Sequence, residues 1–344
     1  MKNILYTFGL FFFIACSSSQ NTSKEDVNTD YAAKYAATIT AEDLKTNLYI
    51  FASDEFEGRN TGEPGQKKAI EFLKNFYVAK GISSGLGGDN YYQKVPADWI
   101  NKNTRRGKYK DSENVLAFIK GTEKPDEIVV ISAHLDHEGI KNGQIYNGAD
   151  DDGSGSMAIL EIAKAFQTAV KAGKGPKRSI LFLHVTGEEK GLLGSKYYTE
   201  NPIFPLANTV CDLNIDMIGR VDDLHKTDSN YVYLIGADKL STELQQISEN
   251  ANTKYTNINL DYTYNDENDP NRFYYRSDHY NFAKHNIPVI FYFNGTHEDY
   301  HKPTDTPDKI EYDLLAKRTQ LVFYTAWEVA NRETRLIVDK ASKE

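Results

Sequence analysis

Apolar residues recur along the chain in two rhythms, one typical of amphipathic helices and the other of strands buried on both faces. The helical rhythm predicts helices over residues 41–48, 66–78, 156–169, 240–252 and 312–332. Continuous apolar runs predict strands over residues 114–119, 127–133, 178–185, 208–215, 231–235 and 288–293. Because strands and helices alternate, the pattern predicts an α/β fold. We expect a three-layer sandwich with a mixed, largely parallel central sheet flanked by helices.

The N-terminal residues form a separate pattern, a positive charge followed by a short apolar run. Lys2 precedes a run from Ile4 to Ala15 that is too short to span a bilayer as a stable helix. Cys16 follows directly, as in the processing site of bacterial lipoproteins. We therefore expect residues 1–16 to be a lipoprotein signal peptide, with a lipid on Cys16. Such a chain is exported and anchored to the bacterial cell envelope, at the outer membrane on its periplasmic or surface side. Plain cleavage with loss of Cys16 is the alternative.

The remainder is predicted to be one domain that follows a tether. Residues 17–35 are polar and rich in Ser, Asn and Asp, which predicts a flexible tether. Residues 36–344 carry every predicted helix and strand, without an internal repeat. The segment between Tyr92 and Asn114 is too short for an inserted domain, so we expect a single domain over 36–344.

Composition and charge narrow the class of partner. Apolar residues make up 40% of the 344-residue chain and charged residues 26%, which is typical of a soluble globular protein. The net charge of −9 argues against nucleic acid and anionic membrane surfaces as partners. Apart from Cys16 the chain has one cysteine, Cys211, so we predict no internal disulfide and expect Cys211 to be a core thiol. We expect a monomer whose membrane contact is the lipid alone.

Clusters of acidic residues and histidine stand where predicted strands end: His134-Leu135-Asp136, Asp150-Asp151-Asp152, Glu188-Glu189, Asp216 and, after the last strand, His301. In parallel sheets, ligands collect beyond the carboxyl ends of the strands, so these clusters should meet. Buried carboxylates repel one another unless a cation compensates them. Asp, Glu and His without Cys are ligands of hard or borderline divalent ions, with zinc the leading candidate. The sequence therefore predicts a metal site at this edge of the sheet.

Within the clusters, neighbouring residues suggest different tasks. Asp136 lies two residues after His134, where its carboxylate can orient a ligating imidazole. The acids 150–152 precede a helix, so they either complement the helix dipole at the surface or turn one carboxylate inward to bridge two cations. Adjacent Glu188 and Glu189 point in different directions, so one can bind metal while the other takes a proton from water.

The combination resembles the M28 family of zinc metallopeptidases, of the bacterial di-zinc aminopeptidase type. The resemblance runs from about Ala52 to the C-terminus. The matching motifs are His134-x-Asp136, Gly148-Ala149-Asp150-Asp151-Asp152-x-Ser154-Gly155, Gly187-Glu188-Glu189-x-Gly191-x-x-Gly194-Ser195, Asp216-Met217, Ser277-Asp278-His279 and Tyr300-His301-x-x-x-Asp305-Thr306.

The resemblance implies two zinc ions per chain and five ligands. Asp151 resembles the carboxylate that bridges the two ions. His134 and Asp216 would complete one zinc site, and Glu189 and His301 the other. These residues would serve an exported metallo-aminopeptidase that hydrolyses N-terminal residues from peptide substrates.

The same resemblance assigns the two catalytic residues that bind no metal. Glu188 matches the general base, and Asp136 matches the carboxylate that orients His134. The segment Ser277-Asp278-His279 matches a family segment near the site, without an assigned step. The other histidines match no motif and are expected to be structural or surface residues: His137, His184, His225, His285 and His297.

Two other functions stay open at this point. A glutaminyl-peptide cyclotransferase resembles this fold but uses one zinc, and an inactive receptor-like relative would keep the scaffold alone. Retention of His134 and Asp216 favours hydrolysis over cyclisation, and retention of Glu188 favours an active enzyme.

Recognition of the substrate is less determined. An aminopeptidase needs an acceptor for the α-ammonium group, for which Glu298 and Asp299 are candidates unless they form a solvated acidic loop. Residues 257–273 lack regular patterning and form either a loop over the site or surface decoration. Aromatic residues between Tyr262 and Tyr275 are candidates to line a pocket for an apolar first residue.

Overall fold

The computed structural model describes residues 29–105 and 107–340, together with Met1. Apart from Met1, the predicted signal peptide therefore lies outside the described residues, and so does Cys16, the predicted site of the lipid. Among the residues described, no helix is both long and apolar enough to cross a membrane.

The described residues form helices between the strands of one large sheet. The helices are α1 (Tyr31–Ala36), α2 (Ala41–Phe51), α3 (Pro64–Lys80), α4 (Ala97–Asn103), α5 (Gly155–Lys171), α6 (Leu193–Glu200), α7 (Thr242–Ala251), α8 (His279–Ala283) and α9 (Tyr312–Asn331). The strands are β1 (Ser83–Ser84), β2 (Tyr92–Val95), β3 (Ser112–Ile119), β4 (Lys124–His134), β5 (Gly139–Lys141), β6 (Gln144–Tyr146), β7 (Arg178–Val185), β8 (Thr209–Ile215), β9 (Tyr231–Ile235), β10 (Asn259–Asp261) and β11 (Val289–Phe293).

The predicted fold class is confirmed. The five predicted helices correspond to α2, α3, α5, α7 and α9, and the six predicted strands to β3, β4, β7, β8, β9 and β11. Strand order in the sheet is β1-β3-β7-β4-β8-β11-β9-β10, with β2 also paired to β3. Strands β7, β4, β8 and β11 run parallel, whereas β3 and β9 are antiparallel to their neighbours in this central group. The sheet is therefore mixed, with a parallel centre.

Helices cover both faces of the sheet because the central strands are apolar on both sides. On β4, Ile131 belongs to the core cluster that includes residues of α5 and α9. The neighbouring Val130 belongs to a second cluster, which includes Tyr198 of α6 and Phe282 of α8. Successive side chains of a strand point to opposite faces, so the continuous apolar run predicted this three-layer packing.

The folded domain begins earlier than expected. Residues 31–35 were assigned to the tether, yet α1 starts at Tyr31 and buries Tyr35 and Ala36. The Tyr35 ring lies 5.7 Å from the ring of Trp327 in α9. The apolar contact with a distant helix orders this short segment, and one turn of helix carries too little periodicity to be recognised in the sequence.

The irregular segment 257–273 contributes to the sheet as well as to the site. Its strand β10 pairs in parallel with β9, with Asn259 opposite Tyr231. Beyond β10 the chain returns toward the carboxyl ends of the central strands, where Phe273 is buried. The segment therefore forms an edge strand of the sheet and then leads back to the site.

Candidate active site

The central strands deliver the predicted site residues to one edge of the sheet. His134 is the last residue of β4, and Asp216 follows the last residue of β8. Glu188 and Glu189 follow β7 after a turn in which Gly187 has a φ of 68°. Such a positive φ suits glycine, and it turns the chain sharply at the end of the strand.

Asp151 stands at the centre of the site, with its two carboxylate oxygens facing different partners. It lies in the turn Ala149–Ser154, which leads into α5. Oδ1 lies 3.1 Å from His134 Nε2, and Oδ2 lies 2.9 Å from His301 Nε2. His134 Nε2 is also 3.6 Å from Asp216 Oδ1, while His301 Nε2 is 3.2 Å from Glu189 Oε2. The structure thus brings all five predicted ligands together, in two groups that share Asp151.

The predicted contact between Asp136 and His134 differs from the observed one. The backbone carbonyl of Asp136, rather than its carboxylate, lies 2.9 Å from His134 Nδ1, whereas the carboxylate is 3.9 Å away. The carboxylate instead accepts hydrogen bonds from Thr61 Oγ1 and from the backbone N–H of Glu188. The chain turns after β4 so that the main chain orients the imidazole. Asp136 therefore ties the turn that carries Glu188 to the end of β4.

The other two acids of the triplet hold the surrounding backbone. Asp152 accepts hydrogen bonds from the backbone N–H groups of His134, Gly155 and Met217. Asp150 accepts one from the N–H of Gly219 and lies 3.1 Å from His297 Nε2. An oxygen of Asp152 also lies within 4.8 Å of ligand atoms of His134 and Asp216, so this carboxylate borders the site while it holds the backbone.

Asp216 is held by Ser277, a residue of the segment for which the sequence suggested no step. Ser277 Oγ donates to Asp216 Oδ2 at 2.7 Å and accepts from Asn214 Nδ2 at 2.8 Å. The side chains of Asp216 and Ser277 are both buried. The Ser277 hydroxyl thus hydrogen-bonds to Asp216 Oδ2, while Asp216 Oδ1 faces His134.

A buried arginine joins the loops that carry the site. The structure forms a short helical turn over Asp54–Arg59, and Arg59 is fully buried. Its guanidinium donates to the backbone carbonyls of Leu135, Asn147 and Gly148 at 2.6–2.9 Å. These bonds connect the turn after β4 to the turn that carries Asp151.

The concentrated charge perturbs the protonation of the site. Burial raises the pKa of Glu188 well above its usual range, and the nearby carboxylates of Asp216 and Glu189 add to the shift. Burial would lower the pKa of His301, but hydrogen bonding to the carboxylates of Asp151 and Glu189 outweighs it and raises that pKa to about 10. Without another cation, the carboxylates thus retain a proton on the imidazole.

These donors fit a divalent metal. Ligand atoms of His134, Asp152 and Asp216 lie within 4.8 Å of one another, and so do those of His137, Asp151 and Glu189. A third, half-buried group of Glu138, Glu189 and His301 shares Glu189 with the second. Glu189 Oε1 and both ring nitrogens of His137 are buried without a hydrogen-bond partner among the described residues. Oxygen and imidazole donors without thiolate suit zinc, and a bound cation would compensate the carboxylates in place of protons.

His137 is a residue at the site that the sequence reasoning missed. It was expected to be structural or superficial, yet its Nδ1 lies 2.9 Å from Glu189 Oε1 and 3.8 Å from Asp151 Oδ2. Its position three residues after His134, in the same post-strand turn, was the available signal.

A pocket that is open to solvent lies beside the carboxylates. Its apolar part is aromatic, with the Phe293 ring 4.9 Å from Phe273 and 5.1 Å from Phe291. Tyr300 and Arg276 contribute polar groups, and the guanidinium lies over the Phe273 ring at 4.7 Å. The other lining residues are Asp151, Glu188, Asp216, Met217 and His301.

The two candidate acceptors for an α-ammonium group lie elsewhere. Asp299 is buried and accepts from Lys309 Nζ at 2.6 Å and from Arg220 Nη2 at 3.1 Å. The Glu298 side chain is 68% exposed, and neither residue lines the pocket. Asp299 is thus an anchor of the loop that carries His301.

Comparison with known proteins gives matches over most of the chain. The sequence model of Peptidase family M28 matches residues 114–326. A probable leucine aminopeptidase of Trichophyton verrucosum is 29% identical over 301 residues, 85% of this chain and 74% of the relative.

Solved structures share the fold at lower identity. The LapA aminopeptidase of Legionella pneumophila has a TM-score of 0.66 at 21% identity, over 90% of this chain and 78% of that one. A glutaminyl cyclase of Porphyromonas gingivalis has a TM-score of 0.64 at 17% identity, over 83% of this chain and 97% of that one. At these identities, the two structures show the likeness of the fold alone.

Proposed function

The chain belongs to peptidase family M28, and on that premise we propose that it is an exported aminopeptidase. In this proposal it removes the N-terminal residue of peptides at a site of two zinc ions, with Glu188 as the general base. The similarity to a probable leucine aminopeptidase over 85% of the chain supports cleavage from the N-terminus of the peptide.

One observation carries the proposal of two zinc ions: the opposite placement of the Asp151 oxygens. Oδ1 faces His134, and Oδ2 faces His301. Each oxygen meets a group completed by a further carboxylate, Asp216 on one side and Glu189 on the other. A carboxylate shared between two such groups is the arrangement expected of a bridging ligand.

The chemistry follows from the residues around that bridge. When bound, two zinc ions lower the pKa of water and polarise the scissile carbonyl. Glu188 lines the pocket, and burial raises its pKa above the usual range, which makes its carboxylate a stronger proton acceptor. Glu188 would take the proton of the attacking water and pass it to the leaving amine. The Asp136 carboxylate, bound to the Glu188 N–H at 3.2 Å, would keep this base in position.

The pocket supports an N-terminal residue with an apolar side chain as the substrate group. Phe273, Phe291 and Phe293 offer an apolar wall, and the carboxyl groups of Glu188 and Asp216 line the same pocket. Burial of an aliphatic or aromatic side chain against this wall is favourable by roughly 1.5–3 kcal/mol. The adjacent carboxylates would attract the positively charged α-ammonium group of a free N-terminus.

A substrate panel tests this function. Aminoacyl chromogenic substrates and N-blocked peptides are compared with added zinc and with a chelator. We expect turnover of free-amine substrates, fastest for apolar first residues, with loss in chelator and recovery on return of zinc. Cleavage of blocked peptides at internal bonds would contradict the aminopeptidase proposal, and turnover in metal-free enzyme would contradict the metal site.

A glutaminyl cyclase is the second candidate, because a protein of that activity shares the fold. A peptide that begins with Gln separates the two functions. The aminopeptidase releases free glutamine and binds about two zinc ions, whereas a cyclase forms pyroglutamate and needs about one. The donors of His134 and Asp216 at 3.6 Å, beside Asp151, support the two-zinc enzyme. An inactive receptor-like protein would show neither product.

We also propose that the chain is exported and held at the cell envelope by a lipid on Cys16. Support comes from the sequence alone, since Cys16 directly follows the apolar run from Ile4 to Ala15. Cys16→Ala should move the protein from the membrane fraction to the soluble fraction of the cell envelope. Equal distribution of the wild type and variant would contradict the anchor.

A further inference from the structure

His137 occupies a position built around its imidazole. The side chain is fully buried, and its backbone N–H donates to the Arg59 carbonyl at 3.4 Å. Gly148 packs directly against the ring: a Cβ at that position would lie 2.4 Å from His137 Cγ and 2.6 Å from Cδ2. Any larger residue at 148 would displace the imidazole, so the glycine leaves room for the ring.

The ring directs one nitrogen at two carboxylates without forming a hydrogen bond. Nδ1 lies 2.9 Å from Glu189 Oε1 and 3.8 Å from Asp151 Oδ2. Nevertheless, Nδ1, Nε2 and Glu189 Oε1 are all buried without a hydrogen-bond partner among the described residues. A buried polar atom without a partner costs about 1–3 kcal/mol, so the facing pair of Nδ1 and Oε1 requires another explanation.

A cation supplies that explanation. The donor atoms of His137, Asp151 and Glu189 lie within 4.8 Å of one another. Atoms that lie close together but do not form a hydrogen bond can still share a metal ion, because the ion accepts lone pairs from several donors at once. The two candidate histidines lie on the same side of the bridge, with ring centroids of His137 and His301 5.8 Å apart.

We propose that His137 Nδ1 is a further ligand of the zinc ion held by Asp151, Glu189 and His301. This inference rests on the proposed two-zinc function and extends its ligand set. The ion beside Glu189 then has two imidazole ligands, His137 and His301, whereas the ion beside Asp216 has one imidazole ligand, His134. The two sites are therefore unequal: the site with His137 binds the first zinc, and the site with His134 and Asp216 binds the second.

The competing interpretation is that His137 only positions Glu189 through a hydrogen bond. The two interpretations differ in the number of imidazoles bound to zinc, which X-ray absorption of the zinc-loaded protein measures directly. If His137 is a ligand, three imidazoles serve two ions, an average of about 1.5 per zinc, and the protein loaded with one equivalent shows about two. If His137 only positions Glu189, both samples show about one imidazole per zinc, and the proposal is overturned.

Replacement of the imidazole supplies the second measurement. His137→Gln should weaken binding of the first zinc by about 100-fold or more in chelator competition, beyond what loss of an outer contact usually causes. The X-ray absorption signal of the variant should fall to about one imidazole per zinc. The matched control is His225→Gln, which removes a buried imidazole flanked by Asp222 at 2.9 Å and Asp261 at 3.1 Å, away from the site.

The outcomes separate this inference from the proposed function. Two bound zinc ions and aminopeptidase turnover, with one imidazole per zinc in the wild type, would overturn the role of His137 and leave the function intact. Failure of the wild type to bind two zinc ions or to cleave free-amine substrates would contradict the function itself. Since the wild-type absorption measurement needs no substitution, a variant that does not fold leaves the test in place.

Discussion

Asp216 engages different partners with its two carboxylate oxygens. Oδ1 lies 3.6 Å from His134 Nε2, and Oδ2 accepts a hydrogen bond from Ser277 Oγ at 2.7 Å. Hydrogen bonds such as the one from Ser277 determine which lone pairs of a carboxylate remain available to a metal. The residues that orient the ligands are therefore as specific to this site as the ligands themselves.

Removal of the Ser277 hydroxyl should weaken one zinc site. In Ser277→Ala, Asp216 loses its orienting donor, and we expect about 10–100-fold weaker binding at the His134–Asp216 site, measured by competition with a chelator. Ser248→Ala is the matched control, because the Ser248 hydroxyl lies in the core, 3.2 Å from the Tyr292 hydroxyl. Equal zinc affinity in the two variants would contradict this role.

Protons should compete with zinc at His301. The carboxylates of Asp151 and Glu189 outweigh burial and raise the pKa of this imidazole to about 10, so the metal-free protein carries a proton there at neutral pH. Zinc binding must displace that proton, and the affinity should therefore rise as the pH rises toward 10. Calorimetric titrations in buffers of different ionisation enthalpy measure the protons released. An affinity independent of pH, without proton release, would contradict the expectation.

The ligand set could be predicted from the sequence because each member ends or follows a strand of the sheet. His134 ends β4 and Asp216 follows β8, and the carboxyl ends of parallel strands converge. The role of Asp136 could not be predicted, because the sequence does not specify whether a carbonyl or a carboxylate meets the imidazole. His137 escaped notice because its role depends on the space left by Gly148 in a distant turn.

At the scale of elements, long periodic segments were predictable and short ones were not. Helix α5 and strand β7 show strong apolar patterns in the sequence, and both formed as expected. Helices α1 and α6 contain few turns, so their stability depends on tertiary contacts rather than on local pattern. The burial of Arg59 could not be predicted for the same reason. Apart from Phe51, the residues whose carbonyls accept its hydrogen bonds lie 76 to 89 residues away along the chain.

Close packing of α6 against the strands explains the last glycine of the Glu188-Glu189 motif. A Cβ at Gly194 would lie 2.3 Å from the Thr186 carbonyl oxygen and 2.5 Å from Asn114 Oδ1. Gly194→Ala must displace α6, and we expect a loss of about 2 kcal/mol or more in unfolding free energy by denaturant titration. Turnover should fall as well, because the turn before α6 carries Glu188.

The control for this substitution is Gly173→Ala. Its φ of 72° is unfavourable for alanine, but an added Cβ meets no atom within 4 Å. The expected cost is therefore limited to the backbone, about 1 kcal/mol, with unchanged turnover. A larger loss in this variant than in Gly194→Ala would contradict the packing argument.

For the whole molecule, the concentration of negative charge at one edge of the sheet couples stability to metal. Added zinc should raise the midpoint of thermal unfolding, with a stabilisation of about 2.7 kcal/mol at a free concentration 100 times Kd. Asp151→Asn removes the shared carboxylate charge between the two donor groups, so its zinc-dependent shift should be much smaller. A wild-type midpoint that zinc leaves unchanged would contradict a metal site in the folded state.

The most direct test of the account is Glu188→Gln, because it separates catalysis from metal binding. The substitution preserves size and removes the base, while the five proposed ligands remain. Metal analysis and steady-state turnover are measured on the same preparation. We predict about two zinc ions per chain and a fall in turnover of roughly 10²–10⁴-fold or more. Turnover within a few-fold of the wild type, in a variant that still binds zinc, would contradict the assignment of Glu188 as the base.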